Sequence, residues 1–228
     1  KDKTPLTIEP VFVAAKFLHV ECVVHINYDP NNTSKSAAQI QSEIINQILS
    51  FQSSNLNDFN KTLRQSRLTA TLDKVDNSII STDLVAKPII EYKPILATVQ
   101  NPSFSFESAL VKPYIFDSVS GFASFSPALR TSKFTIEGNL VTLQDDGAGK
   151  IMAVTAGTTT ETVYKRSVGT INYGTGAIKL ANLVVDSFEG NAIKFIVNTV
   201  DKDVKSPKDR IISIRNEDMT IKVTAIAE

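Results

Sequence analysis

Three side chains with acid–base or metal-binding chemistry, His19, Glu21 and His25, share one face of a predicted strand. Imidazole and carboxylate groups that converge on one point are common ligands of zinc. His25, however, is six positions beyond His19, which corresponds to about 20 Å along an extended chain. One ion cannot bridge that distance. We therefore expect no metal site here, and a strand face that is either solvated or in contact with a partner.

Cys22 is the single cysteine of the chain, and the two-residue period of the strand turns it to the apolar side, away from both histidines. A catalytic nucleophile needs a base within hydrogen-bond reach. Because the chain has only two histidines and no Gly-x-Ser-x-Gly string, we predict no catalytic residues and no enzymatic activity. Paired carboxylates leave an enzyme of unrecognised type open. The lone cysteine excludes an internal disulfide and indicates a reducing compartment, or a particle assembled in one.

The string Asp145-Asp146-Gly147-Ala148-Gly149-Lys150 contains groups that bind phosphate or calcium in other proteins. A phosphate loop needs four residues between its glycines, Ser or Thr after the lysine, and a helix behind it. A calcium loop of the EF-hand type needs alternating Asp or Asn ligands and a distal Glu. The string satisfies neither pattern and a strand follows it. We therefore predict a hairpin turn, and we expect no cofactor and no bound metal.

The aromatic residues are twelve Phe and five Tyr, with no Trp. They are distributed along the strands and do not alternate with Lys or Arg, so core packing is favoured over base stacking or sugar binding. One group falls near the middle of the chain, where we expect packing between two domains or, alternatively, a docking surface for another subunit. Its members are Phe104, Phe106, Phe116, Phe122 and Phe125.

The overall composition is that of a globular domain. The 228 residues are 42% hydrophobic and carry 24 basic and 24 acidic side chains, and this balance holds in each half. Neither nucleic acid nor an anionic membrane is therefore an implied partner. No apolar run approaches the roughly 20 residues of a membrane span. Since the chain begins at Lys1 without a methionine, we expect it to be part of a longer polypeptide.

The positions of glycine and proline divide the chain into two parts. All nine glycines follow residue 120, whereas seven of the nine prolines precede it. Glycine supplies the positive-φ positions of tight turns, so its distribution predicts a hairpin-rich second half. The predicted fold class is α+β: a strand–helix–helix–strand module over residues 1–115, followed by an antiparallel β-rich module, sandwich or barrel-like, over residues 116–228.

The first module is predicted from three periodic patterns. Alternation over Val11–Tyr28 indicates a half-buried strand. Ser36 and Gln39 match a capping box for a helix over about residues 34–51, and Ser66 is the predicted cap of a shorter helix that carries Leu68, Leu72 and Val75. A long strand follows over about residues 78–92, and residues 95–99 and 103–110 are expected to be extended.

The second module is predicted from short apolar runs separated by turn residues. The predicted strands are Phe134–Ile136, Leu140–Gln144, Ile151–Thr155, Glu161–Lys165, Ala177–Leu180, Ile193–Thr199, Ile211–Ile214 and Met219–Ile226.

Two strings carry a family resemblance. Residues 66–81, which include Asp-Lys-Val-Asp-Asn-Ser-Ile-Ile-Ser from Asp73, resemble a segment of the large baseplate wedge subunit of T-even-like contractile-tailed bacteriophages. Gly169–Leu180 (GTINYGTGAIKL) resembles the β hairpin of its C-terminal region, and residues 211–225 are similar to its C-terminus. The chain is therefore identified as similar to a C-terminal part of this baseplate-J-related family.

The resemblance implies a structural protein of the virion. Its expected partners are itself and other baseplate wedge subunits, in a ring around the tail hub that relays the trigger for sheath contraction. It implies no catalytic residues, and a location in the tail baseplate after assembly in the host cytoplasm. The alternative that the residues leave open is a non-catalytic carbohydrate- or receptor-binding β module.

Overall fold

The computed structural model describes residues 15–113, 126–156 and 161–226. Its two α-helices are α1 (Ala37–Asn55) and α2 (Gln65–Leu72), and short 3-10 turns lie at Pro30–Asn32 and Asn216–Asp218. The strands, in chain order, are β1 (Lys16–Tyr28), β2 (Thr62–Leu63), β3 (Ile79–Tyr92), β4 (Ser103–Ser105), β5 (Leu129–Thr131), β6 (Phe134–Ile136), β7 (Asn139–Asp145), β8 (Lys150–Thr155), β9 (Val163–Asn172), β10 (Ala177–Leu180), β11 (Ser187–Phe188), β12 (Ile193–Val197), β13 (Val204–Lys205), β14 (Arg210–Ser213) and β15 (Met219–Ala225).

Strand β1 forms because its apolar residues recur at every second position and cover one face. That face is buried, and its members are Leu18, Val20, Cys22, Val24, Ile26 and Tyr28. The opposite face carries the histidines, as predicted. Residues 11–14 of the predicted strand lie outside the described residues.

Helix α1 begins at the predicted capping box. Ser36 Oγ accepts a hydrogen bond from the Gln39 N–H at 3.3 Å, and Gln39 Oε1 accepts one from the Ser36 N–H at 2.8 Å. The helix ends at Asn55, four residues later than predicted. Helix α2 begins after Arg64, without a side-chain cap, so the prediction that Ser66 caps it is wrong.

Most strands belong to one continuous sheet. Its order is β14-β1-β3-β12-β5-β7-β8-β9-β10-β4, with β15 on β1 and β6 between β7 and β11. β14 and β15 both pair with β1 in parallel, along its first and second halves. Residues 210–225 therefore return to the first strand of the chain.

Two hydrophobic clusters lie along this sheet. The helix-backed core packs α1 and α2 against β1, β3, β14 and β15, and it includes Ile44, Leu68 and Ile212. The β core lies among the strands from β4 to β12 and includes Phe134 and Phe195. β3 contributes Leu84 to the first core, and Ile90 packs against the second.

The predicted α+β class, with a strand and helices before a large β-rich part, is confirmed. Strands β5, β11 and β13, each of two or three residues, were not predicted. Residues 95–99 form a turn, so the prediction of an extended segment there is wrong. The predicted domain boundary at residues 115 and 116 lies outside the described residues and stays a prediction.

Candidate functional site

The three side chains with metal-binding chemistry do not meet in the structure. Glu21 pairs with Lys87 of β3 at 3.4 Å, and His25 is exposed opposite Asp83. His19 Nε2 lies 3.9 Å from Glu91 Oε2. Within the three described ranges, no group of three or more His, Cys, Asp or Glu side chains is arranged to hold a metal ion.

A network of ion pairs surrounds His19 at the point where β1, β3 and β12 meet the C-terminal segment. Asp218, whose side chain is 2% exposed, is its centre. One carboxylate oxygen accepts from Lys194 Nζ at 2.6 Å and the other from Arg215 Nε at 2.6 Å. The Asp218 network consists of His19, Glu91, Lys194, Arg215, Glu217 and Asp218.

Arg215 connects this network to β3 because its Nη2 donates to Glu91 Oε1 at 2.7 Å. A buried carboxylate is costly unless it is paired and hydrogen-bonded, and both oxygens of Asp218 satisfy this condition. The network therefore fastens the turn before β15 to β3 and β12. The network lies at the junction of the two cores, and its role there is to hold these elements together.

The network changes the proton affinity of its members. Burial alone would lower the pKa of Lys194, but its hydrogen bond to Asp218 and the charge of that carboxylate outweigh burial and raise it. Burial lowers the pKa of His19, and the neighbouring Arg215 lowers it further, against the opposing charges of Glu91 and Asp218. The folded protein therefore favours neutral His19.

The sequence predicted the face of His19 but not the network. Its acidic and basic members come from positions 91, 194 and 215–218, which lie on separate elements. The only local signal was the charged run Arg215-Asn216-Glu217-Asp218 before the last strand.

Cys22 is buried in the helix-backed core, on the side opposite the histidines, as predicted. Desolvation raises the pKa of its thiol to about 12. A thiol in this state is not a nucleophile at neutral pH.

The Asp145–Lys150 string forms the turn between β7 and β8. Asp145 is fully buried and accepts hydrogen bonds from the Leu129 N–H at 2.9 Å and the Tyr173 hydroxyl at 2.7 Å. Burial raises its pKa, and these hydrogen bonds oppose that shift. Asp146 accepts from the N–H groups of Ala148 and Lys150. Both carboxylates therefore stabilise the turn and its neighbours.

The GTINYGTGAIKL string forms the β9–β10 hairpin. A Cβ atom on Gly176, whose φ is +68°, would lie 2.6 Å from the carbonyl oxygen of Ser108. A Cβ atom on Gly169 would lie 2.4 Å from the carbonyl oxygen of Lys179. Close backbone approach therefore explains these glycines.

Part of the predicted aromatic group packs in the β core. Phe106 is buried, and Phe104 contacts Phe195 edge to face with ring centres 4.7 Å apart. Phe116, Phe122 and Phe125 lie outside the described residues.

An exposed apolar turn follows β3. Its aliphatic side chains Ile95, Leu96 and Val99 are 67%, 48% and 59% exposed. The Gln100 side chain holds the turn by donating to the Ile95 carbonyl at 2.5 Å and accepting from the Tyr92 hydroxyl. Aliphatic groups fixed together on a surface are typical of a contact with another macromolecule.

A cleft of about 380 Å³ lies between the two cores. Leu18, Pro88 and Val204 line it on the side of the helix-backed core, and Phe106 lines it on the side of the β core. Glu107, Asp201, Asp203 and Lys205 also line it.

None of the described helices is both long and apolar enough to cross a membrane.

Residues 16–86 of the chain match a protein family. The matching family is described as baseplate structural protein gp6, C-terminal domain III. Residues 16–86 are similar to a baseplate domain. The match covers about a third of the chain and supports a structural protein of a phage baseplate, with a non-enzymatic role. No curated protein matches the chain.

The baseplate-like segment, residues 16–86, contains β1, α1, β2, α2 and the first half of β3. Part of the string that carried the resemblance, Asp73–Ser81, forms the turn into β3. There Asp76 accepts from the hydroxyl and N–H of Ser78, at 2.7 and 2.9 Å, and pairs with Lys35 at 2.9 Å. The Ser78 hydrogen bonds, with Lys35, lower the pKa of Asp76 to about 2. These polar contacts, all from residues within the matched segment, hold the turn into β3.

Proposed function

We propose that the protein is a wedge subunit of the baseplate of a contractile phage tail. In this role it contacts neighbouring wedges and a second copy of itself in a ring around the tail hub, and it relays the trigger for sheath contraction. The observation that carries the proposal is the match of residues 16–86 to a baseplate domain.

The fold supports an assembly role. The matched segment forms most of the helix-backed core, and residues 210–225 complete that core by pairing with β1. The Asp218 network then joins this core to β12, which contributes Phe195 to the β core. Packed strands and ion pairs thus connect the two cores, and a relay of displacement from one core to the other requires such a connection.

The surface supports the same role. The turn that carries Ile95, Leu96 and Val99 is exposed and fixed by Gln100, as expected for part of a subunit contact. Two residues with potentially reactive side chains serve the fold: Cys22 is buried in a core, and Asp145 stabilises a turn. We accordingly propose a non-catalytic protein of the virion, assembled in the host cytoplasm, whose partners are proteins and not nucleic acid or membrane.

The test is to locate the protein in purified phage particles. A gold-labelled antibody against the chain should mark the baseplate, and mass spectrometry of isolated baseplates should recover its peptides. Deletion of the coding sequence should give particles without a complete baseplate. Normal contractile particles after deletion, or labelling away from the tail end, would contradict the proposal.

A further inference from the structure

The sheet has an open edge along β15. Among the described residues β15 pairs with β1 alone, over all seven of its positions. On the outer side of β14, Phe59 forms an antiparallel β-bridge to Ile211. At the other end of the sheet, β4 has only three residues. β15 therefore presents seven consecutive residues at which another strand can pair.

Two hydrogen bonds establish which backbone groups of β15 point outward. The Ile226 N–H donates to the Tyr28 carbonyl of β1 at 2.9 Å, so even-numbered residues direct their backbone groups to β1. Odd-numbered residues then direct theirs outward. Consistently, the outward Ile221 carbonyl accepts from the Gln41 side chain at 3.1 Å. The backbone groups of Val223 and Ala225 face the same open side.

We infer that this edge pairs with β15 of a second copy, in an antiparallel ladder whose two-fold axis passes through Val223. This inference rests on the self-contact within the proposed function and assigns its surface. The ladder places Ile221 opposite Ala225 of the second copy and Val223 opposite itself. All three positions are odd-numbered, so their outward N–H and C=O groups form hydrogen-bonded pairs, and the second lone pair of the Ile221 carbonyl accepts beside Gln41.

Charge supports this register. With the axis at Val223, Lys222 lies opposite Thr224 of the second copy, and Thr220 lies opposite Ile226. A ladder centred on Lys222 would instead place two lysines directly opposite each other, which is destabilising. The axis at Val223 also covers Ile226, a 41% exposed aliphatic side chain.

The resulting assembly is one sheet that continues through both copies. The two-fold axis is perpendicular to the sheet, so the two α1 helices lie on the same face of it. Main-chain hydrogen bonds supply the attraction, as in other cases of strand addition, and the side-chain pairs fix the register.

The first test measures the dissociation constant of the dimer by sedimentation velocity on the 228-residue chain. Val223→Pro removes an N–H group that faces outward and keeps the hydrogen bonds of β15 to β1, as prolines do in edge strands. Because the Val223 side chain also packs against the helix-backed core, circular dichroism checks that the variant is folded. We expect a dimer whose dissociation constant rises at least tenfold in Val223→Pro, with unchanged circular dichroism. A strictly monomeric chain, or a dimer that Val223→Pro leaves unchanged, overturns the inference.

A second pair of variants tests the register without proline. In Thr224→Lys, the new lysine of each copy lies opposite Lys222 of the other copy, so the dimer contains two lysine–lysine pairs. The dissociation constant should rise about three- to tenfold. Adding Lys222→Glu creates two opposite-charge pairs and should restore the dimer. Lys222→Glu/Thr224→Lys that dimerises no better than Thr224→Lys alone overturns the register.

These outcomes are separate from the test of the proposed function. A monomeric chain that is nevertheless found in isolated baseplates rejects the paired edge and leaves the baseplate role. A dimer with this register that is absent from phage particles rejects the baseplate role and leaves the paired edge.

Discussion

The helix-backed core and the β core are closed in different ways. In the helix-backed core, β1 pairs with β14 and β15, which follow it by almost two hundred residues. In the β core, β7, β8, β9 and β10 are successive strands that each pair with the next. The first core therefore depends on long-range closure and the second on hairpins, whose contacts are local.

This difference has a consequence for the segment that resembles a baseplate domain. Residues 16–86 form the helices and central strands of the first core. They do not supply the whole core, because Ile212, Ile214 and half-buried residues of β15 complete it. The matched segment is thus a part of the fold that the end of the chain stabilises.

The largest expected effect is that of removing β14 and β15. A chain that ends at Pro207 loses the parallel partners of β1 and the burial of Ile212 and Ile214. We expect a loss of about 5–10 kcal/mol, which is comparable to the full stability of a domain. Hydrogen exchange should become fast in β1 and α1 and stay slow in β7 and β8.

A chain that ends at Ala225 is the matched control and should keep protection in both cores. If the chain that ends at Pro207 loses protection equally in both cores, the cores form one cooperative unit and the contrast between them is wrong.

An intermediate effect is expected at the hairpin of the β core. In Gly176→Ala the new methyl group would lie 2.6 Å from the Ser108 carbonyl oxygen, at a φ of +68°. We expect about 3 kcal/mol of destabilisation or more, from positive-φ strain together with displacement of the backbone. Urea unfolding of the purified variant measures it.

Gly138→Ala separates these two causes. Gly138 has a similar φ of +74° but no atom within 4 Å of the added Cβ, so strain alone should cost about 1–2 kcal/mol. Equal losses in the two variants would show that the close approach at Ser108 contributes nothing.

The smallest expected effect concerns pH at the junction of the cores. Burial, with Arg215, lowers the pKa of folded His19 below its ordinary value of 6.5. The unfolded chain therefore binds this proton more readily, so the contribution of His19 is present above pH 6.5 and is lost as the pH falls through the folded pKa. As the pH is lowered below 6.5, the melting temperature of His19→Gln should fall less than that of the wild type, with a difference of about 2 °C or less.

His25→Gln is the control, because His25 is exposed on the same strand face and lies outside the Asp218 network. If the melting temperatures of the wild type and of His19→Gln depend on pH in the same way, protonation of His19 does not affect the stability of the junction.

The amino-acid sequence determined the elements whose cause is local. The two-residue period predicted the buried face of β1, the capping box predicted the start of α1, and the glycine distribution predicted the hairpins after residue 120. These features depend on residues a few positions apart, so pattern and turn chemistry are sufficient. The same reasoning placed Cys22 in the core and the Asp145–Lys150 string in a turn.

Tertiary structure alone decided how the chain closes. The parallel pairing of β14 and β15 with β1 joins residues that no local pattern connects, and the two- or three-residue strands β5, β11 and β13 exist only because neighbouring strands bond them. The Asp218 network likewise draws its side chains from β1, β3, β12 and the C-terminal turn. Apolar alternation tells which face of a strand is buried, but the partner strand is chosen by packing across the whole sheet.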